Sequence, residues 1–172
     1  MATTCKLIAK TTLGSSAANI EFTSIPSTYT DLLLVCSVRS DRASNAVDNV
    51  KIRFNGAAND NNLSVRYLYG DGASATSFTL SSFAYIGNAP ASTATSNTFS
   101  SNECYIPNYA GSTNKSFSAT GVQETNGTTA YIDAIAGLWS DTSAITAVRI
   151  FPANGSNFVT NSSAFLYGIT KA

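Results

Sequence analysis

The sequence predicts an all-β fold: a single-domain antiparallel β-sandwich over residues 1–172, jelly-roll-like. Three observations carry that expectation. Apolar residues recur with period two in many short runs, as half-buried strands require. No window of about 11 residues or more keeps apolar side chains at helical spacing without a Gly, a β-branched cluster or an Asn-rich break. Clusters of Gly, Pro, Asn, Ser and Asp, such as Gly70-Asp71-Gly72 and Asn154-Gly155-Ser156, separate the runs at fairly regular intervals.

Eleven strands are expected, at 5–9, 18–23, 31–38, 50–54, 63–68, 77–86, 98–106, 115–123, 130–138, 144–151 and 163–170. The second places Ile20 and Phe22 on one face against Asn19 and Glu21 on the other. The fourth puts Lys51 and Arg53 opposite Val50, Ile52 and Phe54, then stops at Asn55-Gly56, a dipeptide that tolerates positive φ. The third holds the continuous run Leu32-Leu33-Leu34-Val35-Cys36 and is therefore expected at the centre of a sheet, covered on both faces. Stretches 40–48 and 89–97 are small, polar and poor in apolar anchors, so they read as exposed connections. Pattern alone does not set strand order, and a jelly roll is preferred over an immunoglobulin-like sandwich.

Charge narrows the function. Charged residues make up 12% of the chain, with ten basic residues balancing ten acidic ones, against about 25% charged in an average soluble domain. Nothing clusters the cations, so nucleic acid and anionic membrane surfaces are not expected partners. The apolar run at 32–36 is far too short to cross a bilayer. The opening residues alternate and do not form an apolar block, so no signal peptide is expected. Cys5, Cys36 and Cys104 are odd in number and widely spaced; each is expected to pack as a small hydrophobe.

No catalytic residues are expected. The chain has no histidine, which removes the commonest general base and the commonest transition-metal ligand. No nucleophile elbow, phosphate-cradling loop or dinucleotide fingerprint occurs. Asp41, Asp48, Asp60 and Asp71 are expected in loops or at strand ends. Their spacing matches no EF-hand, and Asp in a turn ordinarily caps its own backbone, so no metal or other cofactor is expected. The aromatics remain. Tyr67 and Tyr69, Tyr105 and Tyr109, and the lone Trp139 offer large contact areas with a polar handle, and Tyr67, Tyr69, Tyr109 and Trp139 are the candidate contact residues.

Several segments taken in order carry a family resemblance. Met1-Ala2-Thr3-Thr4-Cys5-Lys6-Leu7-Ile8 opens the chain; Phe22-Thr23-Ser24-Ile25-Pro26-Ser27-Thr28-Tyr29, Ile52-Arg53-Phe54-Asn55-Gly56 and Tyr105-Ile106-Pro107-Asn108-Tyr109-Ala110-Gly111 follow. Gly137-Leu138-Trp139-Ser140 and Phe165-Leu166-Tyr167-Gly168-Ile169 close it. Together they resemble the small β-rich virion proteins of marine and freshwater tailed phages, including cyanophages. The resemblance implies a non-enzymatic virion role: a capsid decoration (cement) protein, made in the host cytoplasm and carried on the outer surface of the head. Its implied partners are the major capsid protein and further copies of itself as a dimer or trimer. The alternative is a small tail or fibre component that binds a host surface glycan.

Overall fold

The computed structural model describes residues 4–56, 62–127 and 129–170. Twelve strands form among them: β1 (Cys5–Thr12), β2 (Ile20–Phe22), β3 (Asp31–Ser37), β4 (Val47–Phe54), β5 (Leu63–Gly70) and β6 (Ala75–Ser81), then β7 (Ala84–Pro90), β8 (Ser101–Pro107), β9 (Lys115–Gln123), β10 (Tyr131–Trp139), β11 (Val148–Pro152) and β12 (Ser163–Ile169). They make two antiparallel sheets, ordered β1-β12-β3-β8-β9-β10-β5-β6 and β2-β11-β4-β7.

A jelly roll is nested within this order. β1 pairs β12, β2 pairs β11, β3 pairs β8 and β4 pairs β7, which is one long hairpin rolled up so that successive pairs alternate between two four-stranded sheets. The remaining strands are two insertions. Hairpin β5–β6 lies between β4 and β7 in the chain, and β9–β10 between β8 and β11. Both join the β8 edge of the first sheet and double its width. The four-stranded sheet therefore faces a partner that extends beyond it.

Side-chain alternation fixes which face is inside. Leu32, Leu34 and Cys36 of β3, Cys104 and Ile106 of β8, and Leu166 of β12 meet Val50, Ile52, Phe54, Val148 and Ile150 of the smaller sheet in one buried core. Phe54 anchors one end of it, edge-on to Phe117 at 5.7 Å and tilted against Trp139 at 5.5 Å.

The two sheets approach most closely where β7 crosses β9. A Cβ added at Gly121 would lie 3.0 Å from the Gly87 Cα and 2.5 Å from the Asn102 Oδ1. Gly87 has φ +143°, a conformation that side chains disfavour.

Four sequence expectations change. The strand expected at 77–86 is two strands in different sheets, because Ser82 adopts φ 74° and turns the chain from one layer to the other. The strand expected at 144–151 begins only at Val148, since the preceding residues are held by the Asn55 side chain: its Oδ1 accepts from the Thr146 N–H at 2.7 Å and its Nδ2 donates to the Ala144 carbonyl at 2.9 Å. β3 is covered on one face only; outward-pointing Leu33 and Val35 are half-buried among their cross-strand neighbours Tyr105, Tyr167 and Phe165. The 89–97 connection is anchored: the Arg39 guanidinium donates to the carbonyls of Ala91 (2.7 Å), Ala94 (3.1 Å) and Thr95 (2.8 Å).

Gly121→Ala places a methyl group into this contact, where backbone lies on one side and a buried amide on the other. The variant is expected to lose about 1–3 kcal/mol of stability, read as a lower urea midpoint with unchanged slope.

Candidate functional site

A polar node sits at the point where the sheets meet. Alternation along β10 turns Tyr131, Asp133 and Ile135 inward, so a carboxylate lands on the core face with 1% of its surface exposed. Asn88 of β7 satisfies it: the backbone N–H donates to Oδ2 at 3.0 Å, and Nδ2 donates to Oδ1 and Oδ2 at 2.9 and 3.1 Å. The same Nδ2 reaches the Tyr67 hydroxyl at 3.1 Å, and the Asn88 Oδ1 accepts from the Asn49 Nδ2 at 2.8 Å. Asn102 of β8 donates to the Asn88 carbonyl at 3.2 Å and to the Ser100 hydroxyl at 2.9 Å. One asparagine thus links β10, β5, β4 and β8.

Burial dominates the electrostatics of the node. It pushes the Asp133 carboxyl up to about 6, with the hydrogen bonds from Tyr67 and Asn88 opposing the rise. The Tyr67 hydroxyl is pushed far above its ordinary range, first by burial and then by the adjacent Asp133 charge.

Above this node, where the wide sheet overhangs the narrow one, a cleft of about 450 Å³ opens. Tyr67, Tyr69, Phe78 and Tyr131 line it from the wide sheet, and Arg42, Asn45, Asn49 and Asn88 from the other side. Tyr67 stacks on Phe78 at 4.8 Å and 12°, while Tyr69 and Tyr131 meet at 5.4 Å and 70°. The result is a stacked aromatic floor beside a corner of two tyrosines.

A second surface lies on the opposite, outward face of the same strands. Leu68, Ser77, Thr79, Ser118, Ala134 and Ala136 line a shallow depression of about 710 Å³ in which Arg66 is the only charged residue among those described. Val122 and Ile132 stand beside it, 44% and 64% exposed. The outward face of the narrow sheet is the reverse case. There Glu21 pairs with Arg149 at 2.8 Å, and Lys51 and Arg53 lie over the Phe83 and Phe151 rings at 4.7 and 5.0 Å.

The four candidate contact residues separate. Tyr69 is half-buried at the cleft, and Tyr67 lines its floor while 2% exposed. Tyr109 is fully buried, its hydroxyl donating to the Pro26 carbonyl. Trp139 is 5% exposed in the core, with the buried Lys115 ammonium 5.6 Å from its ring. Neither Tyr109 nor Trp139 presents a surface to a partner. Tyr105, 38% exposed, donates to Asp31 at 2.8 Å on the outer face.

The loop aspartates are occupied by donors. Asp48 accepts from the Ser40 hydroxyl at 2.7 Å and from the Gly155 and Asn154 backbone N–H groups. Asp41 accepts from the Ser156 and Asn157 N–H groups, and Asp71 from those of Ala73 and Ser74. These bonds fix turns; Asp60 lies outside the described residues. No group of three or more metal-ligating side chains converges among the described residues. Cys36 and Cys104 pack in the core, where burial pushes both thiols up, Cys36 to about 12. Cys5 departs from expectation: it is exposed on the edge strand β1, where no second layer covers it.

No family model matches the chain. Nor does any curated protein. Solved structures give distant likenesses. A Ruminococcus gnavus sialidase CBM40 domain bound to α2,6-sialyllactose aligns over 96% of this chain and 95% of its own at 12% identity and a TM-score of 0.41. A leech intramolecular trans-sialidase aligns over 96% and 26% at 9% identity and a TM-score of 0.33. Scytalido-glutamic peptidase aligns over 91% and 66% at 12% identity and a TM-score of 0.28. Likenesses this distant bear on neither site nor ligand.

The node has a pH signature. A carboxyl whose folded pKa is raised from 3.8 to about 6 binds protons more tightly folded than unfolded, so its contribution to stability is present below the unfolded pKa and is lost as pH rises through the folded one. Asp41, Asp71 and Asp141 are held below 3.8 and act at lower pH. Between roughly pH 4 and pH 6, stability is therefore expected to fall by on the order of 2–3 kcal/mol. Asp133→Asn should flatten that slope in denaturant titrations run across the window.

Proposed function

We propose that this protein is a non-catalytic structural component of a tailed-phage virion, a decoration protein on the outer surface of the head that bridges neighbouring capsomers. Support comes from a weakly charged stretch of the wide sheet's outer face. Strands β5, β6, β9 and β10 form a depression there lined by Ser, Thr, Ala and Leu with Arg66 as its one charged residue among those described; Asp31 and Glu103 lie elsewhere on that face, and the narrow sheet carries Glu21, Lys51, Arg53 and Arg149. Uncharged hydroxyls and small apolar groups cost far less to strip of water than ions do. This depression is the surface that a partner, either the major capsid protein or a further copy, covers at little desolvation cost.

Cross-linking needs no tight single contact. An oligomer that spans two capsomers makes its second attachment at high effective concentration, so modest interfaces suffice on a repeating lattice. A non-catalytic role fits the chemistry of the node, because Asp133, the one acid among the described residues that burial raises toward neutrality, is 1% exposed and engaged by Asn88.

Copy number tests the reading against a tail or fibre location. Quantitative mass spectrometry of purified particles is expected to give hundreds of copies per virion; a handful overturns it. Ala134→Glu puts a charge into the depression at an exposed position. The variant is expected to fold as the parent does and to lose at least tenfold in affinity for stripped heads, equivalent to about 1.4 kcal/mol. Undiminished decoration by this variant places the contact elsewhere.

A further inference from the structure

The cleft under the overhang carries chemistry that head decoration does not use. Its walls alternate aromatic faces with amides. Among the described residues the Tyr69 and Tyr131 hydroxyls make no hydrogen bond, and the Arg42 guanidinium makes no ion pair, its one hydrogen bond running from Nη1 to the Val47 carbonyl at 3.0 Å. The Asn45 amide bonds only to the Ala43 carbonyl. Asn49 is oriented by its bond to Asn88, which in turn is fixed by Asp133. Polar groups with unused capacity thus face a volume flanked by rings, on a base that cannot easily repack.

The geometry points to a saccharide-binding site in this cleft, where the Tyr69–Tyr131 corner and Phe78 take the C–H faces of a short neutral sugar and Asn45, Asn49 and Arg42 pair with its hydroxyls. A sugar ring is amphipathic in the way this site requires: apolar on its faces and rimmed by groups that both donate and accept. Aromatic side chains bury the former without demanding charge, and asparagine amides match the latter in both directions. The volume of about 450 Å³ falls within the range of small-molecule sites, roughly 300–1,000 Å³. The cleft exists because hairpins β5–β6 and β9–β10 extend one sheet past the other, with Tyr69, Phe78 and Tyr131 all on the inserted strands.

The test uses the isolated full chain and a panel of neutral disaccharides: maltose, cellobiose, lactose, mannobiose and diacetylchitobiose. Each is added to isotopically labelled protein at about 10 mM, which detects binding into the millimolar range. At least one is expected to shift amide resonances around 42–49, 67–69 and 129–131. Tyr131→Ala is expected to weaken that binding about tenfold, and Tyr131→Phe, which keeps the ring, about threefold. Asn45→Ala, at the rim, guards against loss of fold in the first variant and is also expected to weaken binding. No shift with any panel member overturns the proposal, as does binding that survives all three substitutions. Head decoration is read on particles and sugar binding on the free chain, so either reading can fail without the other.

Discussion

The hydrogen bonds between Asn88 and Asp133 set the geometry of the whole molecule at the place where its two sheets meet. Apolar packing between sheets is tolerant of sliding; a buried carboxylate is not. Removing a charge from water costs several kcal/mol unless donors replace the lost solvent, and here the donors come from one backbone N–H and one amide on the opposite sheet. A shift in register between β7 and β10 would leave the carboxylate bare. The polar node therefore specifies position, whereas the surrounding Ile, Val, Leu and Phe side chains supply most of the burial.

Glycines make that contact sterically possible. With side chains at residues 87 and 121, the strands would stand farther apart, and the Asn88 amide would no longer reach across. The amide of Asn102 occupies the space that those side chains leave. Its Oδ1 is buried without a hydrogen-bond partner among the described residues. Buried acceptors of this kind carry a desolvation penalty, so the node is held by favourable bonds around one unfavourable atom.

Sequence periodicity located most strands because their inward positions are apolar, as in 50–54 and 163–170. It gave the strand at 130–138 without assigning the face on which Asp133 lies, and the two-residue step from Asp133 to Tyr131 and Ile135 was the available signal for the node. The rest depended on information that no local pattern holds. Ser82 breaks a strand with a positive φ in a residue that is neither Gly nor Asn. The capture of the 91–95 carbonyls by Arg39 joins segments more than fifty residues apart. Tyr109 and Trp139 look like contact residues by type, yet the fold consumes both: one seals the chain at Pro26 and the other shields Lys115. Tyr131 and Phe78 became recognisable only once the two insertions lay side by side.

That adjacency also explains how two surfaces coexist on the same strands. Successive residues of a strand point to opposite sides of the sheet, so Ala134 and Ala136 belong to the outward depression while Tyr131 and Asp133 belong to the inner side. A partner laid against the outward face covers the first set and leaves the mouth of the cleft open. The small sheet does not close the cleft, because β7 is its last strand and, among the described residues, no further strand extends it over β5 and β6. Widening one layer of a jelly roll by two hairpins thus creates a shallow, weakly charged depression on one side and a lined recess on the other. Neither needs any change to the eight strands that hold the core.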